Sequence, residues 1–243
     1  MVRFHFIKES KHSFEIEMKN SIISSYKIIK KQRFILVLFC LFILIFVIAP
    51  LSRPDFIGCI GIDASISILL IVSLFFVTEK TFVLALLATF SVLLIRSLLY
   101  IFPSNLLVIT SNTLSFILLI VVTMNIFVLL SQKNKTDIET LAAAISVYLM
   151  IGLIFGFIYA TMHHLNSLYF SFKEEPLLHQ FSVWLYYSFV TLTTLGYGDI
   201  VPLSPFAKML SCLEAILGQM YLAITIAHVV GLRINAGRYR DSG

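Results

Sequence analysis

Long apolar runs alternate with short polar breaks along most of this chain. A polar, basic stretch, Met1–Arg33, precedes four apolar segments at about Phe34–Pro50, Ala64–Thr78, Thr81–Phe102 and Leu106–Leu130. A spanning helix needs about 20 apolar residues to cross a hydrocarbon core ~30 Å thick. The second segment reaches that length only if it starts near Phe56. The links Glu79-Lys80 and Pro103-Ser104-Asn105 are so short that they predict antiparallel neighbours. Ser131–Thr140 reads as a polar linker. Leu141–Met162 and Phe206–Arg233 are the fifth and last long apolar helices, with a loop and a short aromatic segment between them. The pattern predicts an all-α membrane protein.

Composition agrees. The chain is 59% hydrophobic and 13% charged, with a mean hydropathy of +0.96, whereas about a quarter of a soluble domain is charged. A net charge of +5 and a pI near 9.1 could suggest a polyanionic partner, but the positions of the charges do not. Threading six spans puts fourteen of the eighteen Lys and Arg residues on one side: eight in Met1–Arg33, then Lys80, Lys133, Lys135, Arg233, Arg238 and Arg240. Arg53, Lys173 and Lys208 fall on the other side, and Arg96 within the membrane. The excess places both termini in the cytoplasm of a plasma (inner) membrane protein, and no nucleic acid is needed to explain the pI. Phe14, Met18, Ile22, Tyr26 and Ile29 recur at helical spacing, as in a helix lying on anionic lipid, with a partly ordered tail as the other reading of this stretch. Cys40, Cys59 and Cys212 lack metal or disulfide spacing and are expected to be packed thiols.

The most specific stretch is Thr191–Asp199, reading TLTTLGYGD. Wrapping a dehydrated cation in backbone oxygens requires successive carbonyls to point one way. That needs dihedrals of alternating hand, and Gly196 and Gly198 fall at alternate positions where glycine tolerates this. Thr194-Leu195-Gly196-Tyr197-Gly198 resembles TVGYG, the filter of potassium channels, at four of five positions, and Asp199 extends the match. The chain therefore resembles the tetrameric potassium-channel superfamily, in its six-helix, one-pore subunits.

The resemblance implies four peripheral transmembrane helices followed by an outer helix, a pore loop and an inner helix. It divides the chain into a cytoplasmic segment 1–33, a four-helix domain 34–130, a linker 131–140, a pore domain 141–233 and a tail 234–243. It implies a homotetramer set in membrane lipid that conducts K⁺ passively through its own filter, with no cofactor. The carbonyls of Thr194, Leu195, Gly196 and Tyr197, with the Thr194 hydroxyl, would bind K⁺, and Gly198 would complete the ribbon. Phe181–Thr193 resembles the pore helix, with Trp184, Tyr186 and Tyr187 as an aromatic collar, and its C-terminal dipole favours a cation. Thr193, Trp184, Tyr187 and Asp199 would support the filter. Tyr187 stands where many relatives have a tryptophan bonded to the carboxylate that matches Asp199, and a tyrosine hydroxyl offers the same donor. Val190 replaces a glutamate found behind the filter of some prokaryotic relatives.

On the inner helix, Gly218 matches the family's gating hinge, with close packing as the other account of a glycine there. Gln219 is expected to face the cavity below the filter. Glu214 is expected to pack behind the pore helix and partly replace the missing glutamate. His228 lies toward the inner mouth. Leu195 and the altered collar keep a weakly selective cation channel open as an alternative, and a non-conducting partner subunit is a second.

Other features point away from other functions. The fourth segment has no basic residue between Leu106 and Leu130, so strong voltage gating is not expected. Arg96, in the third segment, would snorkel or pair with Asp63. His163 and His164 point about 100° apart on a helix, which argues against a zinc site shared with His179. Glu174 and Glu175 could attract cations to the outer loop. No phosphate-binding loop, nucleophile elbow or carboxylate pair in a soluble segment supports an enzyme.

Overall fold

The computed structural model describes residues 33–52, 56–74, 79–102, 104–132, 137–173 and 180–241. The stripe expected from Phe14 to Ile29, the carboxylates Glu174 and Glu175, and His179 lie outside them.

Helix α1 runs Arg33–Ile43 and continues through a π turn, Leu44–Ile48, into Ala49–Leu51. Pro50 explains the widened turn, because it has no N–H to give the carbonyl of Phe46 and its ring would crowd that carbonyl. Next come α2 (Phe56–Ser73), α3 (Glu79–Leu99), α4 (Asn105–Ser131) and α5 (Ile138–Leu165). The second helix does start at Phe56, which gives it the length its apolar core alone lacked. At 18 and 21 residues, α2 and α3 rise roughly 27 and 32 Å. Four stretches, Phe34–Leu51, Asn105–Ser131, Ile138–Leu165 and Pro205–His228, are long and apolar enough to cross a bilayer. The molecule is an all-α membrane protein.

Asp137 caps α5, its carboxylate accepting the Thr140 N–H at 2.8 Å. Beyond α5 come a 3₁₀ turn (Ser167–Tyr169), strand β1 (Phe170–Phe172), the short helix α6 (Gln180–Leu192), strand β2 (Ile200–Pro202) and the long α7 (Pro205–Asp241). The strands pair antiparallel, with Ser171 opposite Val201. Three-residue strands leave no periodic trace in a sequence, so the pattern of apolar positions does not predict this ribbon.

Helix α5 is the hub. Two-thirds of its membrane-length window (67%) is buried, against 11% for α7. It packs on α1, α4, α6 and α7, and Gly152 and Gly156 let α6 come close. Helices α1 and α4 thus dock directly on α5, and α2 and α3 pack on those two. Two polar contacts reinforce this: the Phe34 N–H donates to Glu139 at 3.3 Å, and the Ser52 and Ser182 hydroxyls meet at 2.7 Å.

Arg96 is paired, as one of its two expected fates required. It is buried on α3 with Nη1 on Asp63 of α2, while the Tyr100 hydroxyl donates to the other Asp63 oxygen at 3.0 Å. Its guanidinium lies 5.9 Å from the centre of the Phe157 ring on α5. The charge thus bridges three helices, α2, α3 and α5. Cys40 is half-buried, but Cys212 is exposed rather than packed within the chain. Its position on the sparsely covered α7 explains the difference.

Candidate functional site

Helix α6 has 13 residues, so it spans about 20 Å and can enter a membrane without crossing it. Its last turn anchors the residues of the filter motif. The Leu195 and Gly196 N–H groups both donate back to the Val190 carbonyl, at 2.9 and 3.3 Å, and Thr194 N–H donates to Thr191 at 2.9 Å. With these N–H groups turned onto the helix end, the carbonyls of the same residues are free to face away from it.

The dihedrals have the alternation that such a ribbon needs. Thr194, Gly196 and Gly198 have φ of 60°, 59° and 74°, while Leu195 and Tyr197 between them keep negative φ. Thr194 is the one non-glycine with positive φ among the described residues. A β-branched residue there is a true outlier, costing about 1–2 kcal/mol, and such strain marks functional segments. Two glycines were legible in the sequence. The third left-handed position was not, because threonine conceals it. Thr193 and Thr194 donate their hydroxyls to the carbonyls of Phe189 and Thr193, each at 2.6 Å.

The outer end of the ribbon is fixed at Asp199. One Asp199 carboxylate oxygen accepts the Tyr186 hydroxyl at 2.7 Å and the other its neighbour's N–H at 3.1 Å, while the Asp199 carbonyl accepts the Lys173 N–H at 2.9 Å. Tyr187 therefore does not hold Asp199, contrary to the sequence expectation. Successive side chains diverge by about 100° on a helix, so Tyr186 faces Asp199 and Tyr187 faces α7. There the Tyr187 hydroxyl lies 2.7 Å from Ser211. Trp184 also differs from expectation. It is buried against His163, Phe170, Phe172 and Tyr187, and so seats α6 on α5 and the ribbon instead of touching the filter.

These contacts predict different outcomes for the two tyrosines. Tyr186→Phe should shorten the conducting period roughly five- to tenfold, as losing about 1 kcal/mol from a partly exposed charge-assisted bond implies. Tyr187→Phe should not have that effect. The decay of K⁺ flux after a concentration jump measures both.

Val190 presents an apolar side chain behind the ribbon. It shares with Phe189, Leu195, Tyr197 and the π-turn residues of α1 an apolar cavity of about 480 Å³. Glu214 is fully buried against α5 and α6, accepting the Tyr159 hydroxyl at 2.7 Å and lying 2.5 Å from the Ser188 hydroxyl. It sits behind the pore helix, as its register implied, but reaches neither the filter backbone nor Asp199. Gly218 lies against the end of α6, where an added Cβ would run into the Leu192 carbonyl. Gln219 and His228 are exposed in the single chain. The rings of His163 and His164 are 6.4 Å apart, and no metal-ligand cluster is present among the described residues. Tyr159, Ser188 and Ser211 carried no signal in the sequence, since their roles depend on which helices meet, and Tyr186 was marked only as one of three aromatic residues on α6.

The comparisons with known proteins fall on this same region. Residues 143–232 match the family model described as ion channel. The potassium voltage-gated channel protein shk-1 of Caenorhabditis elegans is 36% identical over 80 residues, covering 32% of this chain and 15% of that protein. The voltage-gated potassium channel Kch of Escherichia coli is 29% identical over 112 residues, 46% of this chain and 26% of its own. Two-pore potassium channel 5 of Arabidopsis thaliana is 30% identical over 101 residues, 41% and 22% of the two chains. The chain thus spans about a quarter or less of the length of these relatives. Through residues 143–232, which carry the TLGYGD motif and the alternating ribbon, the chain is thus similar to ion channels, these potassium channels among them.

Proposed function

We propose that the protein is a potassium-selective channel that lets K⁺ move passively through a carbonyl-lined filter at Thr194–Tyr197. The observation that carries this reading is the left-handed backbone at Thr194, Gly196 and Gly198. Alternating hand turns successive carbonyls to one side, and a row of such oxygens can replace the water shell of the ion.

One chain supplies one wall of such a site, so the working unit is a homotetramer around a central axis. Leu195 and Tyr197, 55% and 66% exposed, and the sparsely covered α7 support assembly, because these apolar surfaces lack cover within one chain. Both termini lie in the cytoplasm and the filter at the outer face of a plasma membrane. Four arginine-poor α4 helices and an Arg96 tied to Asp63 favour gating that depends weakly on voltage. The protein carries no enzymatic step in this reading.

Ion flux from liposomes containing only the purified protein, under opposed K⁺ and Na⁺ gradients, tests it. Selective K⁺ flux is the expected result. Equal flux of both ions would replace it with a weakly selective cation channel, which Leu195 and the apolar Val190 would then explain. No flux from a folded tetramer would leave a non-conducting partner subunit.

A further inference from the structure

One turn of α7 lies along the last turn of α6, with Glu214 against Ser188 and Gly218 against Leu192. The hydrogens around Glu214 can be counted. The carbonyls of Gly152 and Ala207 only accept. Ser188 lies 2.7 Å from the Gly152 carbonyl, and Ser211 lies 2.9 Å from that of Ala207, so each serine hydrogen is taken. Tyr187 then donates to Ser211 at 2.7 Å and Tyr159 to Glu214 Oε2 at 2.7 Å. The contact left over, 2.5 Å between Ser188 Oγ and Glu214 Oε1, has no hydrogen unless the carboxyl supplies it. If Ser188 gave its hydrogen to Glu214, two lone pairs would face each other at the Gly152 carbonyl.

The surroundings agree. No Lys, Arg or His is paired with Glu214 among the described residues. An ionised carboxylate buried without a cation is costly, whereas a neutral acid with both oxygens bonded is not. Its two partners, Tyr159 of α5 and Ser188 of α6, and the Tyr187 and Ser211 hydroxyls that meet each other nearby are all neutral when protonated.

We propose that Glu214 is a neutral carboxylic acid that donates to Ser188 and thereby positions the filter for K⁺ selectivity, a role that rests on the channel reading above. The route is short. Ser188 lies two residues before Val190, whose carbonyl holds the N–H groups of Leu195 and Gly196. With Val190 apolar, no carboxylate is bonded to the backbone of Thr194–Tyr197 among the described residues. The filter's inner end takes its position from the seat of α6, and Glu214 ties that seat to both outer and inner helices. Glu214 is a positioning residue and touches no ion.

Glu214→Gln keeps a donor and an acceptor without charge, whereas Glu214→Leu keeps volume alone. In liposome flux, Glu214→Gln should retain most of the K⁺ over Na⁺ preference. Glu214→Leu and Ser188→Ala should each lower it about tenfold, as loss of one buried hydrogen bond per copy implies. Infrared spectra of the purified protein at neutral pH should show the C=O band of a buried protonated carboxyl that Glu214→Gln removes. A Glu214→Gln protein as impaired as Glu214→Leu would overturn the proposal, and so would an absent band. Should Glu214→Leu fail to assemble, Ser188→Ala and the band still decide. If the wild-type protein carries no K⁺, the channel reading falls, and the infrared band alone determines whether Glu214 holds the proton.

Discussion

Gly196→Ala should reduce K⁺ flux at least about a hundredfold while leaving the protein folded and assembled. The two halves of this expectation come from different facts. Residue 196 has φ of +59°, where an L side chain costs about 1–2 kcal/mol. Four copies around one axis would share roughly 4–8 kcal/mol of strain. The cheapest relief is a rotated peptide that turns its carbonyl away from the axis, and a filter missing one ring of oxygens no longer matches the ion's lost hydration. Yet a Cβ built at 196 finds no atom within 4 Å, so nothing in the fold of the chain itself resists the methyl. Flux, chromatographic size and melting temperature of the same preparation separate the two. Flux within about tenfold of wild type, a difference of only ~1.4 kcal/mol, would remove the carbonyl cage from the mechanism.

Gly218→Ala offers the second large effect, and its sign separates two accounts of that glycine. If Gly218 served only as a flexible hinge, alanine would stabilise the helix by about 1 kcal/mol per chain. The structure instead puts the Leu192 carbonyl where the methyl would go, with the Leu192 side chain at 2.9 Å. A carbonyl of the α6 backbone cannot step aside as a side-chain end can, so α7 must move away from α6. Overpacking of this kind costs about 1–3 kcal/mol per site. The variant should therefore melt below wild type and lose flux, because the displaced turn also carries Glu214. Calorimetry of detergent-purified protein measures the sign. A raised melting temperature with altered gating would restore the hinge.

The sequence alone determined the parts that physics writes locally. Apolar run length lays out the long helices, because a bilayer demands about 20 residues whatever surrounds them, and four stretches among the described residues are long and apolar enough to cross one. Basic residues clustered at alternate connections give the expected orientation. Two glycines spaced for alternating hand, between threonines and Asp199, mark the alternating ribbon, because only glycine adopts that backbone without strain.

The contacts that depend on which surfaces meet were settled only by the tertiary structure. Tyr186 and Tyr187 are chemically identical neighbours, and only the rotation of α6 decides that the first reaches Asp199 and the second Ser211. Arg96 could have snorkelled, but the approach of α2 and α5 gives it Asp63 and Phe157. Thr194 hid a left-handed backbone that runs against its own preference. Gly218 read as a hinge or as a contact until the end of α6 was placed against it. Periodicity reports which face of a helix is apolar. It carries no information about which partner fills that face, and in this protein the partner assigns each side chain its role.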